Sequence, residues 1–195
     1  MTIFYNNDAL QNAMVITLSN IKVNRVENHE NYTLLFNNNE LVGLNIFNVN
    51  ESLNLANGML YPTQEIIDFI KQTTNLDLTN YIQPTFVVAE IVECEDVPNT
   101  HLHKCQVNVG DQTLQIVCGA ANARVGLKTV CAKVGSVMPN GSYINDGELM
   151  SIPSHGMLCS ARELKVDINQ DKPGILELDS NYKIGETFKP IFKNL

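Results

Sequence analysis

The chain has 195 residues, 44% of them hydrophobic and 17% charged, which allows one large or two small packed domains. Its net charge of −8 argues against indiscriminate nucleic-acid binding, because Lys and Arg supply most of the non-specific affinity for phosphates. No apolar run approaches the roughly 20 residues of a membrane span, and the first residues lack the basic segment of a signal peptide. We therefore expect a cytoplasmic protein. Five irregularly spaced cysteines indicate neither a disulfide framework nor a zinc ribbon.

Residues 1–83 are predicted to form a small α+β domain with an antiparallel sheet and one helix. Three β-branched, apolar runs predict the strands of a meander: residues 13–19, 32–36 and 41–49. The Asn-rich residues 37–40 are expected to form a hairpin turn between the last two. Residues 62–71 predict a helix opened by Pro62, with an apolar face that covers the sheet. No spacing here indicates catalysis, and we expect the domain to end near Gln83.

Residues 84–195 are predicted to form an OB-type barrel, so the whole chain is expected to be mainly β. Strands are expected at residues 86–93, 103–109, 113–118, 129–134 and near 148–152. Alternation predicts four inward rows, namely Val87, Ala89 and Ile91; Cys105, Val107 and Val109; Leu114, Ile116 and Cys118; and Val130, Ala132 and Val134. Residues 119–126 are expected to be a connecting turn, and the tail from residue 173 is expected to pack back on the barrel.

Residues 154–164 combine turn chemistry with helix capping. Ser160 and Glu163 have the spacing of a capping box, and Cys159 and Leu164 flank it at the positions of a hydrophobic staple. Gly156 indicates a tight turn that a Cβ would obstruct. The stretch therefore predicts a strand, a turn and a short helix.

Charge is distributed unevenly between the two predicted domains. Residues 1–83 carry three basic and eight acidic residues, whereas residues 84–195 carry ten basic and thirteen acidic ones. Any site for a polyanion is therefore expected in the second domain, as a local basic patch.

Three motifs of the second domain resemble a known family when they are taken together. They are residues 116–122, residues 132–135 followed by Pro139 and Gly141, and Ser154-x-Gly156-Met157-x-x-Ser160-x-x-Glu163-Leu164. They are similar to the tRNA-binding domain of the beta chain of bacterial phenylalanyl-tRNA synthetase, of some methionyl-tRNA synthetases and of free-standing tRNA-binding proteins. The resemblance covers about residues 85–190. The preceding domain is similar to that of the YtpR-type stand-alone proteins of Firmicutes.

The resemblance implies a protein that recognises the outer corner of folded tRNA by shape, without catalysis, cofactor, metal or small-molecule substrate. Such recognition uses phosphates and 2′-hydroxyls. The RNA-binding candidates that it implies are Asn122, Arg124, Lys133, Ser154, Met157, Ser160 and Arg162. Each of three candidates has a structural explanation at least as good as RNA binding. Ser160 would cap a helix, Met157 would plug the barrel mouth, and Asn122 would hold its turn. The three cations are favoured because they can pair with phosphate. A homodimer is left open.

Two segments depart from the family pattern. Residues 97–102 lack the customary lysine, and residues 150–153 stand where the family tends to have Arg-Gly. Together with the charge of −8, these departures keep one alternative open, a protein–protein interaction module whose barrel has lost RNA binding.

Two kinds of enzyme site are weaker alternatives. Four potential zinc ligands lie close together in the sequence but lack a standard ligand spacing: Cys94, His101, His103 and Cys105. Cys159 lies four residues from His155 and next to a predicted helix start, which would suit a nucleophilic thiol. The staple position instead predicts a packed Cys159.

Overall fold

The computed structural model describes residues 1–49, 53, 55–82, 85–167 and 173–190. The described residues divide into two units, one ending at Ile82 and the other beginning at Thr85. The predicted boundary residue, Gln83, lies outside the described residues. Each unit has its own cluster of buried hydrophobic side chains. In the described ranges, no helix is both long and apolar enough to cross a membrane.

The first unit contains a six-stranded antiparallel sheet in the order β3-β4-β5-β2-β1-β6. Its strands are β1 Thr2–Asn6, β2 Ala13–Thr17, β3 Arg25–Asn28, β4 Tyr32–Asn37, β5 Glu40–Ile46 and β6 Gly58–Leu60. The three predicted strands and their turn are confirmed, and Asn38 adopts the positive φ of 53° that the turn requires. The predicted meander order is wrong, because β2 pairs with β5 and not with β4. Strands β1, β3 and β6 were not predicted. Strand β3 lies at the sheet edge and has no buried side chain, so burial leaves no pattern in its sequence.

Among the residues that the structure describes, one α-helix, α1 Gln64–Thr74, packs on this sheet. The Oγ1 of Thr63 accepts a hydrogen bond from the backbone N–H of Ile66 at 3.4 Å, so Thr63 caps the helix and Pro62 lies just outside it. Ile66, Ile67 and Ile70 are buried in the same cluster as the inner face of the sheet. The predicted amphipathic helix is therefore confirmed, with its start two residues later than Pro62.

The second unit is an OB-like curled sheet in the order β13-β10-β7-β8-β9. Its strands are β7 Phe86–Asp96, β8 His103–Asn108, β9 Thr113–Cys118, β10 Lys128–Ala132 and β13 Met157–Cys159. Strand β13 also lies beside β9, which brings the two ends of the sheet together. The mainly β, OB-type fold and the β7–β8–β9 meander agree with the prediction.

The predicted fifth barrel strand near residues 148–152 is wrong. These residues belong to a separate hairpin of β11 Gly147–Leu149 and β12 Ile152–Ser154. Met150 and Ser151 form its turn with φ of 53° and 63°, a conformation that neither residue type signals in a sequence. The fifth barrel strand is β13, which pairs with β10.

The predicted inward row of the fourth strand is also wrong. Strand β10 ends at Ala132, and Val134 is 43% exposed. Cys131 enters the barrel cluster, whereas Val130 and Ala132 are buried outside that cluster. Because β10 is covered on both faces, alternation could not identify the face that points inward.

The described part of the tail runs back along the barrel, as predicted. Leu176 donates its backbone N–H to the carbonyl of Cys159 at 2.8 Å, and Leu178 donates to Lys128 at 2.9 Å. Phe188 donates to Phe86 at 2.9 Å.

Candidate nucleic-acid interface

The chain at Ser154, the last residue of β12, and at His155 is hydrogen-bonded to the edge of β9. Ser154 Oγ accepts the N–H of Val117 at 3.1 Å and donates to the carbonyl of Gly156 at 3.4 Å. His155 donates its N–H to the carbonyl of Gln115 at 2.9 Å. The Ser154 hydroxyl is half-buried and therefore helps to hold the loop against the barrel.

Gly156 lies where the loop passes closest to the barrel wall. Its φ is 143°, and a Cβ at this position would lie 2.9 Å from the carbonyl oxygen of Ala132 and 3.3 Å from Cδ1 of Ile116. A glycine is required here both by the backbone conformation and by this approach. The close passage places Met157, which is half-buried, opposite Ala132 in the sheet.

The predicted capping box is present after β13. Ser160 donates its N–H to Oε2 of Glu163 at 2.7 Å, and Glu163 donates its N–H to Oγ of Ser160 at 3.2 Å. Cys159 and Leu164 are wholly buried on either side. The predicted short helix is wrong, because the chain makes a single turn and reaches a positive φ of 53° at Lys165.

Arg162 lies in the capped turn with an exposed side chain. Within the described part of the chain, its guanidinium has neither a hydrogen bond nor an ion pair. The capping box fixes the backbone on both sides of this residue. Arg162 therefore presents a full positive charge from an ordered turn.

Asn122, in the segment between β9 and β10, clamps the tail. Its Nδ2 donates to the carbonyl of Ile175 at 2.9 Å, and its Oδ1 accepts the N–H of Ile175 at 3.0 Å. The Asn122 amide thus pairs with the tail as a neighbouring strand would. Gly174 makes room for it, because a Cβ at Gly174 would lie 2.1 Å from Asn122 Oδ1.

Arg124, in the same segment, is paired with an acidic side chain of the tail. Its Nη2 donates to Oε2 of Glu177 at 2.7 Å and its Nη1 to Oε1 at 3.0 Å. The hydrogen bonds to Glu177 raise the pKa of Arg124 further above its ordinary value. Arg124 is 55% exposed, but Glu177 already neutralises its charge.

Lys133 follows the last residue of β10 and is only 24% exposed. Its Nζ lies 3.5 Å from Oδ2 of Asp111 in the turn between β8 and β9.

Lys189 is exposed and follows Phe188, whose N–H bonds to the carbonyl of Phe86, the residue that pairs with Ala132. Sequence reasoning missed Lys189, although the alternation of a buried Phe188 with Lys189 could have marked it as outward-facing.

The strand register separates the candidate residues into two groups. Met157 pairs with Ala132 at the end of β10, so Ser154, Met157 and Lys133 gather at that end. Asn122 and Arg124 precede the first residue of β10. Cys159 pairs with Val130, and the chain therefore leads Ser160 and Arg162 towards the first residues of β10. One end of β10 therefore has Ser154, Met157 and Lys133, and the other has Asn122, Arg124, Ser160 and Arg162.

The local geometry does not favour a thiol nucleophile. Cys159 is wholly buried, and desolvation raises its pKa well above the ordinary range, the opposite of what nucleophilic attack needs. His155, which was weighed as the partner of this thiol, instead has its Nδ1 2.6 Å from Oδ1 of Asp146.

The residues that were weighed as zinc ligands have other neighbours. The sulfurs of Cys94 and Cys105 lie 3.7 Å apart on facing strands, and His103 Nδ1 lies 2.9 Å from Oδ1 of Asp96. Among the residues that the structure describes, no three His, Cys, Asp or Glu side chains form a group that could hold a metal ion.

Comparison with known proteins gives a family match and long alignments. A family model described as "Putative tRNA binding domain" matches residues 86–187. "Putative tRNA-binding protein YtpR" of Bacillus subtilis is 38% identical over 200 positions, covering 97% of this chain and 100% of that protein. "Uncharacterized protein MG449 homolog" of Mycoplasma pneumoniae is 36% identical over 206 positions, covering 100% of this chain and 87% of that protein.

A shorter similarity connects the chain with a much larger protein. The phenylalanine–tRNA ligase beta subunit of Ehrlichia canis is 42% identical over 130 positions, which cover 65% of this chain and 16% of that subunit. The similarity therefore concerns one part of the ligase subunit.

Proposed function

Because the chain belongs to the tRNA-binding domain family, we propose that it is a non-catalytic protein that binds folded tRNA through residues 84–195. The observation that carries the proposal is the family match over residues 86–187, which spans all five strands of the barrel. The Bacillus relative described as tRNA-binding aligns over nearly the whole chain, including the first unit.

Arg162 is the proposed phosphate anchor. Its exposed guanidinium has no competing partner in the described residues, and its backbone is held in the capped turn. A cation on an ordered turn loses less conformational entropy on binding than one on a free loop. The Glu163 carboxylate occupies the amide of Ser160, so phosphate recognition at this turn falls to the Arg162 side chain rather than to backbone N–H groups.

The other predicted site residues have supporting parts in this proposal. Arg124 and Lys133 would reach phosphates by exchanging their carboxylate partners, Glu177 and Asp111. The side chains that already hold the loops, Asn122, Ser154 and Ser160, would position the contacting backbone. Met157 would offer a half-buried apolar contact beside Ser154.

We further propose that the protein has no small-molecule substrate and acts in the cytoplasm, where tRNA is used. A net charge of −8 implies that few phosphates are contacted, because most of the surface repels RNA. Recognition would then depend on the shape of folded tRNA and on a few well-placed cations.

The proposal is tested by measuring binding of labelled tRNA and of a DNA duplex of similar length by fluorescence anisotropy, at low and moderate salt. We expect tighter binding to tRNA and a shallow salt dependence. Arg162→Ala should weaken tRNA binding and reduce the slope of log K against log salt by about 1.

Lys71→Ala is the matched control, because it also removes one exposed cation but lies on helix α1 of the first unit. It should leave tRNA binding nearly unchanged. Equal affinity for tRNA and DNA would contradict the proposed function and favour a protein-interaction module. Tight, tRNA-selective binding that Arg162→Ala leaves intact would contradict only the assigned anchor.

A further inference from the structure

Strand β3 forms an open edge of the first unit. In the described part of the chain it pairs with β4 alone. His29 donates its N–H to the carbonyl of Tyr32 at 2.9 Å, which makes this a hydrogen-bonded pair of the antiparallel hairpin. Because such pairs alternate along the ladder, Glu27, opposite Leu34, bonds inward to β4. The regular alternation ends beyond Val26, because the carbonyl of Phe36, opposite Arg25, accepts the N–H of Asn24 at 2.9 Å. The backbone N–H and C=O groups of Val26 therefore point to the open edge.

The sequence around Val26 is complementary to itself in the antiparallel direction. Arg25 and Glu27 flank Val26 with opposite charges and form an ion pair within one chain, and one residue further out are Asn24 and Asn28. The same symmetry relates Lys22 to Glu30. An antiparallel copy centred on Val26 would therefore place every charged residue of this segment opposite a residue of the other sign.

We propose that the β3 edge binds a second copy of this chain, by antiparallel pairing across a two-fold axis at Val26. The two Val26 residues exchange backbone N–H···O=C bonds, as their outward groups allow. Arg25 then lies opposite Glu27 of the partner subunit at a position without backbone hydrogen bonds. Side chains at such positions approach most closely, so the opposite charges stabilise the pair.

Charge also selects this register over its neighbours. The neighbouring registers move the two-fold axis by one residue. An axis at Arg25 would set two arginines against each other, and an axis at Glu27 would set two glutamates against each other. Like charges directly opposite destabilise a strand pair, so only the axis at Val26 is complementary.

The exposed apolar side chains of this segment add to the same surface. Val26 of β3 is 51% exposed, and Val23, which precedes the strand, is 37% exposed. An exposed edge strand with apolar side chains is a template for pairing with another chain. A second copy satisfies the open backbone groups and covers Val26 with its own symmetry mate. This inference does not depend on RNA binding.

The test is the oligomeric state of the full chain, measured by sedimentation equilibrium over a wide range of concentration. We expect a reversible dimer of about twice the 21.7 kDa chain mass. Arg25→Glu and Glu27→Arg should each weaken the dimer at least about tenfold, because each creates two like-charge pairs across the axis. The double variant should dimerise again.

Mixing the two single variants provides a sharper readout. In a heterodimer, one subunit would carry two acidic residues opposite two basic ones, so the mixture should form dimers although each variant alone is weakened. Lys71→Glu is the control, since it makes the same charge change at Lys71 of α1, which forms an exposed ion pair with Asp77. Thermal melts establish that each variant is folded.

Val26→Glu gives a second route to the monomer without reversing a charge pair, by placing two carboxylates on the axis. A wild-type chain that stays monomeric at every concentration would overturn the proposal. A dimer that survives the single charge reversals, or a mixture that does not restore dimers, would overturn it equally.

Discussion

The Arg124 guanidinium is bound by both oxygens of the Glu177 carboxylate, at 2.7 Å from Nη2 and 3.0 Å from Nη1. The two residues are separated by 53 positions in the chain. The tail thus carries an acidic group directly to a cation of the proposed RNA interface. Whatever binds Arg124 must compete with Glu177.

Removing this competitor should strengthen RNA binding. Glu177→Gln leaves the shape of the side chain but frees the Arg124 charge for a phosphate. We expect affinity for tRNA to rise about threefold or more and the salt slope to steepen by about 0.7 to 0.9. Anisotropy titrations at several salt concentrations measure both quantities.

Glu186→Gln is the control for this effect, since Glu186 is an exposed carboxylate of the same tail. An equal rise in affinity for both variants would indicate only a change in overall charge. An unchanged salt slope for Glu177→Gln would show that Arg124 contacts no phosphate.

Asn122→Ala should destabilise the second unit by about 2 kcal/mol, because it removes both hydrogen bonds that clamp the backbone of buried Ile175. Asn140→Ala removes an exposed Asn whose hydrogen bonds reach only Ser142, and should cost much less. Urea unfolding measures the difference. Equal costs for the two variants would argue against a clamp.

Gly156→Ala should lower the free energy of unfolding by at least about 2 kcal/mol or prevent folding. The new methyl group would press on the carbonyl of Ala132 in a conformation that alanine rarely adopts. Gly147→Ala provides the comparison, because a Cβ there would meet nothing within 4 Å. Thermal and urea unfolding of both variants distinguish close approach from a general intolerance of alanine.

Buried thiols should make the protein less stable at alkaline pH. Burial raises the pKa of Cys131 to about 12, whereas a cysteine in the unfolded chain has a pKa of about 8.5. The stabilisation from this thiol is therefore complete below about pH 8.5 and is lost as pH rises towards the folded-state value. Urea unfolding under reducing conditions between about pH 8 and 10 should show the fall in the free energy of unfolding.

The contribution of Cys131 is measured by the slope of the free energy of unfolding against pH. Cys131→Ala lowers stability at every pH by opening a cavity, but it should also flatten the alkaline dependence by roughly 1 kcal/mol per pH unit. An unchanged slope in Cys131→Ala would contradict the assignment to this residue.

Local patterns predicted much of the fold correctly. The β-branched runs predicted β2, β4 and β5, and the apolar stripe predicted α1, because each element has buried side chains. The alternation in β8 matched the burial of Cys105 and Val107. Such patterns exist because burial on one side repeats with the period of the element. They failed for the exposed β3 and for β10, which is covered on both faces. Strand β1 was also missed, although its buried side chains alternate.

The sequence by itself determined the interactions between near neighbours. Ser160 and Glu163 are three positions apart, so the capping box could be identified before any tertiary structure, and Gly156 could be assigned to a tight turn. Short-range contacts of this kind follow from backbone geometry alone.

Only the tertiary structure decided which cations are available to a ligand. Glu177 reaches Arg124 across 53 positions, and Asp111 in a distant turn reaches Lys133, whereas Arg162 has no such partner in the described residues. No spacing in the sequence encodes these pairings, because they arise when the tail and the β8–β9 turn fold against the barrel. The charge that a residue offers to RNA therefore depends on contacts that only the folded chain makes.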